Sequence, residues 1–284
     1  MLKEYTSLTK PGIVRGNAMT AIAGFLLAAQ GNVEWKSLVA VIIGLGCIIA
    51  SACVCNNYID KDIDQKMSRT SKRALATGGV PVFNALIFAF FLLIIGTVML
   101  GYFTTTLATI FALFGFFMYV IVYGYFKRVT VFSTEIGSIS GAVPPVVGYC
   151  AFTGRFDIAS LCLFLLLVFW QMPHFYAVGI FRLKDYKKAR IPILPVSRGL
   201  EVTKKRILIY IIVFTLIVPL LTIFGYTGIT YLIVMLSLSV VWFYRSAKGY
   251  NVVDTRIWAG KMFGFSLIVL TCLCVILSIN SWIP

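Results

Sequence analysis

Charge is scarce in this chain, and the scarcity excludes most protein classes at once. Only 12% of the residues are charged, where a soluble domain carries about 25%. Histidine occurs once, and neither a C-x-x-C motif nor a Ser/His/Asp or Cys/His set is legible. The seven cysteines (Cys47, Cys53, Cys55, Cys150, Cys162, Cys272 and Cys274) all lie within or at the ends of apolar runs. An odd number in such places reads as reduced, packed thiols. What fills the chain instead is apolar: 60% of 284 residues are hydrophobic and the mean hydropathy is +0.94. Uncharged runs exceed the roughly 20 residues that a helix needs to cross a hydrocarbon core of about 30 Å. A soluble enzyme, a disordered protein and a secreted disulfide scaffold are excluded. The expected class is an all-α polytopic membrane protein, one transmembrane domain over residues 1–284.

Nine spans are expected, at 13–30, 37–57, 82–101, 103–123, 133–151, 159–181, 207–225, 227–245 and 262–282. With these spans, 23 of the 25 lysines and arginines fall on the side of the N-terminus, and only Lys36 and Arg155 on the other. The positive-inside rule makes the rich side cytoplasmic. The net charge of +15 is then largely a matter of orientation, and nucleic acid is not an expected partner. Ala21-Ile22-Ala23 imitates a signal-peptidase site but sits inside the apolar run, so the first span is expected to be retained. Connections on the outer side are short, whereas those at 60–81, 182–206 and 246–261 are long and charged. A site opening to the cytoplasm follows from that asymmetry.

The stretch after span two carries the most chemistry. Asn56, Asp60 and Asp64 recur every four residues. On a helix they share an arc of about 80° and extend about 12 Å along the axis. Asp62 points away from them, toward solvent. Carboxylates in a stripe repel one another, and a cation relieves the repulsion. Mg²⁺ takes such oxygen ligands when substrate phosphates complete its shell. Arg69-Thr70-Ser71-Lys72-Arg73 follows directly, with guanidinium and ammonium groups that match phosphate oxygens. The alternative is an ordinary polar helix end with Asp–Lys pairs in water.

Asn56-x-x-x-Asp60-x-x-x-Asp64 resembles the first aspartate-rich motif of the intramembrane aromatic prenyltransferases of the UbiA type. Within them the chain is similar to the branch that makes heme O. Leu8-Thr9-Lys10-Pro11, Arg69-Thr70 with Arg73, and Gly137-Ser138-Ile139-Ser140-Gly141-Ala142-Val143-Pro144-Pro145 carry that closer likeness. So do Trp170-Gln171-Met172-Pro173-His174-Phe175, Asp185-Tyr186 and Ile191-Pro192-Ile193-Leu194-Pro195. One departure matters: the superfamily often has a second D-x-x-x-D after span six, and here Asp185 is followed four residues on by Ala189. A second metal site would rest on one carboxylate plus lysines.

The resemblance implies Mg²⁺-dependent transfer of farnesyl from farnesyl diphosphate to a vinyl group of protoheme IX, with water adding to give heme O. Asn56, Asp60, Asp64 and Asp185 become the metal ligands, the three aspartates being the catalytic groups. Arg69, Arg73, Lys127 and Arg128 become diphosphate contacts, and Arg182 and Lys187 join them because they flank Asp185. Tyr119 and Tyr123 would offer ring faces to an allylic cation. His174 lies about 10 Å along the helix from the inner end of span six. An isolated histidine on an apolar helix reads first as a hydrogen-bonded structural group, and the resemblance makes it a heme contact. Pro173 beside it is expected to kink the span. The implied setting is a bacterial plasma (inner) membrane with the site facing the cytoplasm. Its partners would be the lipid bilayer and other heme-biosynthesis or oxidase-assembly proteins. Two rival readings are prenylation of a phenolic acid or quinone precursor, separated by the Trp170–Phe175 block, and a secondary transporter. Transporter sites gather polar groups at the bilayer midplane, whereas here they gather at the inner helix ends.

Overall fold

Apolar sequence becomes helix here because a backbone in hydrocarbon must satisfy its own hydrogen bonds. The computed structural model describes residues 2–282. Among them, nine helices are long and apolar enough to cross a membrane. They are α1 (Pro11–Ala29), α2 (Trp35–Ile59), α3 (Val82–Phe103), α4 (Thr106–Val129), α5 (Ser133–Thr153), α6 (Ile158–Phe181), α7 (Gly199–Ile223), α8 (Ile229–Asn251) and α9 (Thr255–Ser278). No strand occurs among the described residues. The protein is an all-helical, multi-pass membrane protein.

Each expected span has its helix, but several helices outrun the hydropathy. α4 continues to Val129, α7 begins at Gly199 and α9 at Thr255. Hydropathy marks the edge of the hydrocarbon, whereas a helix carries lysines and arginines past that edge without loss of backbone bonding. Lys127, Arg128, Lys204 and Arg206 are therefore helical, and the expected long connection at 246–261 shrinks to 252–254. The connection at 60–81 keeps its length, and that at 182–206 shortens to 182–198.

Several helices are irregular: α2 is π-helical at Val41–Leu45, α7 is interrupted at Val218–Pro219, and two others bear on the site. α5 breaks at Ala142, between Ser133–Gly141 and Val143–Thr153. Pro144 and Pro145 lack an N–H and fit only the first turn of a new helix. α4 widens into a π-helical segment at Met118–Tyr123, a form that recurs at functional sites. α6, by contrast, stays α-helical on both sides of Pro173.

Packing closes one half of the bundle. Gly24 of α1 and Gly148 of α5 let the two backbones touch. A Cβ at Gly24 would stand 2.1 Å from the Pro145 carbonyl oxygen, and one at Gly148 1.9 Å from that of Ala21. Phe25, Val41, Ile48, Val146 and Cys150 fill the core around this crossing. α6 packs against α7 and α9 in a second core that holds Leu163, Tyr176, Phe214, Trp242 and Val269. Phe83, Phe90, Phe91 and Val98 of α3 remain exposed, the lipid-facing surface of the bundle.

At the other end, the charged connections fold over the helix ends. A short N-terminal helix, Leu2–Leu8, inserts Leu8 among Val54, Leu75, Val80 and Ala85. Ile63 and Met67 from the connection after α2 pack against Ala189, Ile191 and Ile193 from the connection after α6. That small apolar contact brings the two acidic segments together.

Candidate active site

The last turn of α2 carries Asn56 and Asn57, both buried. Regular helix stops at Ile59, and after Asp60 (φ −93°, ψ 1°) comes a short turn, Lys61–Asp64. The four-residue register survives the step. The Asp60 N–H donates to the Asn56 carbonyl at 2.9 Å and the Asp64 N–H to the Asp60 carbonyl at 2.8 Å.

Every member of the stripe meets a cation from elsewhere in the chain. Lys127 of α4 donates to Asp60 Oδ2. Arg73 Nη1 donates to both oxygens of Asp64 at 2.9 and 2.7 Å. Lys10 Nζ donates to Asn56 Oδ1 at 3.0 Å. Arg128 lies 4.0 Å from Asp60 Oδ1 and grips Asp62 through two bonds of 2.9 and 2.8 Å. Asp62 is half exposed, as its outward position requires, but it is paired rather than free, and Arg128 holds its carboxyl down to about 2. These pairs neutralise acids that would otherwise repel one another at a low-dielectric boundary.

Lys10 reaches the stripe from a left-handed backbone (φ 50°, ψ 67°) between the N-terminal helix and α1. Such a conformation is costly for a lysine. Here it is held by its neighbours: Asn57 Nδ2 donates to the Leu8 carbonyl at 2.9 Å, one residue along from the Lys10–Asn56 bond. Burial pushes the Lys10 ammonium down to about 8, Arg73 acts in the same direction, and Asp60 and Asp64 oppose.

Tyr119 and Tyr123, on the π-helical segment, stack at 5.7 Å with an interplanar angle of 16°. The Lys127 ammonium lies 5.4 Å from the Tyr123 ring centre. Gly137 clears space for that ring, since a Cβ there would stand 2.9 Å from its carbons. Asp185 lies across from the stripe, where Ser68 Oγ donates to it at 2.8 Å. Tyr186 sits between the two acidic segments, within electrostatic reach of Arg69, Asp185, Arg182 and Asp60, and burial pushes its phenol up. Arg182 covers the Phe181 ring at 4.9 Å. Lys187 is exposed and makes no ion pair among the described residues.

An acid stripe faced by four basic residues, beside a second acidic segment, has the charges to take up both a cation and a polyanion. Residues 17–269 match the UbiA prenyltransferase family. The chain belongs to that family. A family relative, the protoheme IX farnesyltransferase of Escherichia coli (strain K12), is 46% identical over 285 residues, spanning all of this chain and 96% of that protein. The protoheme IX farnesyltransferase of Shigella boydii serotype 4 (strain Sb227) matches equally. Among solved structures, a digeranylgeranylglyceryl phosphate synthase superposes with a TM-score of 0.82 at 20% identity, covering 99% of this chain and 98% of that one. A UbiA homolog from Archaeoglobus fulgidus bound to GPP and Mg²⁺ superposes with a TM-score of 0.67 at 14% identity, covering 97% and 99%. These two likenesses establish the UbiA fold.

The histidine of this UbiA-family chain sits apart from the acids, between α6 and α9. His174 is buried, stacked on Trp170 at 4.7 Å and 26°, with Phe263 at 4.9 Å. Its Nδ1 lies 2.7 Å from Ser266 Oγ, and Trp170 Nε1 donates to the Ser266 carbonyl at 2.8 Å.

Four residues of these two places escaped the reading of the sequence as site residues. Lys10 stood in the Leu8–Pro11 block, and the αL conformation that turns it inward has no sequence signal. Tyr186 adjoins Asp185 and was legible as a neighbour. Ser68 and Ser266 are ordinary serines until tertiary contact gives them partners.

Proposed function

We propose that this chain transfers the farnesyl group of farnesyl diphosphate to a vinyl group of protoheme IX, with water adding, to give heme O. The observation that carries the diphosphate half is the meeting of Asn56, Asp60 and Asp64 with Lys10, Arg73, Lys127 and Arg128. The full-length likeness to protoheme IX farnesyltransferases supports heme over a phenolic acid or quinone precursor. The charged end then faces the cytoplasm of a bacterial cell, with the bundle in the plasma membrane, as its excess of lysine and arginine favours.

The donor set suits a divalent ion. Asp60 Oδ1 is buried without a hydrogen-bond partner among the described residues and keeps its lone pairs for a cation, whereas the unpaired Asn56 Nδ2 is an N–H donor that suits a phosphate oxygen. No group of three or more acid, histidine or cysteine side chains able to hold a metal occurs among those residues. Mg²⁺ does not require one, since it binds one or two carboxylates and leaves the rest of its shell to phosphate and water. Asn56, Asp60 and Asp64 would hold such an ion, and Asp185 a second one. When bound, Mg²⁺ supplies positive charge to the leaving diphosphate.

The chain's own residues do the remainder. Lys127 and Arg73 stand against Asp60 and Asp64, where they would meet the oxygens of a diphosphate held by an ion on those carboxylates. There they stabilise the charge that grows as the farnesyl C1–O bond breaks. Lys10 joins them from the N-terminal side, and Arg69 and Arg128 lie at the rim. The Tyr119–Tyr123 stack offers ring faces to the allylic cation, and the apolar walls delay its capture by water. His174, about 10 Å along α6 from the inner end, contacts the porphyrin.

The test is direct. The purified protein is incubated with Mg²⁺, farnesyl diphosphate and either heme or 4-hydroxybenzoate, and the product is identified by mass. Farnesylated, hydrated heme is expected; prenylated hydroxybenzoate alone would sink the heme reading. Lys10→Met is expected to raise the KM for farnesyl diphosphate about tenfold, the worth of one charge-assisted hydrogen bond. An unchanged KM would remove Lys10 from the diphosphate site. Asp185→Asn is expected to lower kcat/KM by about a hundredfold, whereas Lys187→Ala stays within about twofold because the side chain points to solvent. Equal losses in the two variants would overturn that distinction.

A further inference from the structure

Ser266 is fully buried, and its polar atoms are claimed by three neighbours. Its carbonyl accepts from Trp170 at 2.8 Å. Its hydroxyl lies 2.6 Å from the Phe263 carbonyl oxygen and 2.7 Å from His174 Nδ1. Two oxygens that close repel unless a proton lies between them, so the single hydroxyl proton is directed at Phe263. Nδ1 of His174 must then be the donor to Ser266. A neutral imidazole has one N–H, and its other nitrogen, Nε2, is left with a lone pair. Nε2 has no hydrogen-bond partner among the described residues, although His174 is only 8% exposed.

We propose that Ser266 is a positioning residue that fixes the His174 tautomer and aims Nε2 at the iron of the heme substrate. The proposal rests on the reading of this chain as a heme-modifying enzyme. Trp170 and His174 are four residues apart on α6, and both bond to this one residue of α9. The imidazole is thereby pinned in plane as well as in tautomer. Trp170, Phe175 and Phe263 wall the ring, and Nε2 keeps its lone pair for a ligand. Borderline iron accepts such a nitrogen as an axial ligand. Partners that bond the far nitrogen of a ligating histidine set its orientation and basicity, and the hydroxyl of Ser266 stands in that place.

The experiment titrates the purified full chain in detergent with heme, reads the Soret band, and measures farnesyl diphosphate affinity alongside. In the wild type the band is expected to carry the signature of an imidazole ligand. His174→Ala should lose that signature, and added imidazole should restore it. Ser266→Ala should weaken heme binding about tenfold, as loss of a partner to a ligating histidine does, and shift the band, with farnesyl diphosphate affinity and thermal midpoint unchanged. Ser266→Thr, which keeps the hydroxyl, should recover the wild-type spectrum. Identical spectra for wild type and His174→Ala would overturn the proposal while heme O formation, checked by mass, would leave the enzyme's function standing. A Ser266→Ala protein with the wild-type spectrum would overturn the part assigned to Ser266. So would one that loses both substrates and its thermal midpoint together. A chain that neither binds heme nor farnesylates it would overturn the functional reading and the proposal with it.

Discussion

Asp60→Asn is expected to lower turnover by about a thousandfold while the protein stays folded in the membrane. Asparagine keeps the shape and can still accept from Lys127, so the buried contact between α2 and α4 survives. What is lost is the formal charge that a metal needs. The loss should appear in kcat as well as in kcat/KM, because the interaction grows as the leaving group takes up charge. Asp64→Asn should behave similarly, with Arg73 losing its two-oxygen partner. Asp62→Asn is the control. Its side chain is 53% exposed and holds only Arg128 at the rim, so a change of no more than about threefold is expected. A turnover near wild type in Asp60→Asn at saturating Mg²⁺ would remove the metal from α2. Radiolabelled farnesyl transfer, measured beside a thermal melt in detergent, separates loss of chemistry from loss of fold.

Gly148→Val is expected to prevent folding or to cost more than about 3 kcal/mol. The Cβ of any residue at this position meets the Ala21 carbonyl oxygen at 1.9 Å. That obstacle is backbone, which cannot rotate aside as a side chain can. The α1–α5 crossing would have to open, and Phe25, Val146 and Cys150 would lose their packing with it. Gly16, where an added Cβ meets nothing within 4 Å, should take alanine with a change below about 0.5 kcal/mol. The check is the amount of monodisperse protein recovered from membranes and its thermal midpoint. Normal yield and midpoint for Gly148→Val would show that the two helices do not pack this closely.

Much of this architecture is written in local sequence. The nine spans are runs of apolar residues, and the acid stripe is a four-residue period whose register persists through the step at Asp60. The break in α5 is foreshadowed by Pro144-Pro145. Helix ends were less legible, because hydropathy reports where the bilayer ends rather than where the backbone stops coiling. Least legible were pairings across long separations. Lys127 and Arg128 are named by the resemblance as diphosphate contacts, but nothing in the sequence sets them against Asp60 and Asp62 as α4 does. The bond between His174 and Ser266 joins residues 92 positions apart, and no period or motif links them.

The tight crossing of α1 and α5 has a consequence for the cell as well as for the fold. A membrane enzyme that admits a diphosphate and a porphyrin from one side places a wettable chamber partway through the insulating layer. If that chamber connected to the far side, even by a single file of water, protons could leak through and dissipate the gradient. Backbone against backbone at Gly24 and Gly148 leaves no room for such a file between α1 and α5. The two glycines act as insulation along this seam, and a side chain at either would pry it open.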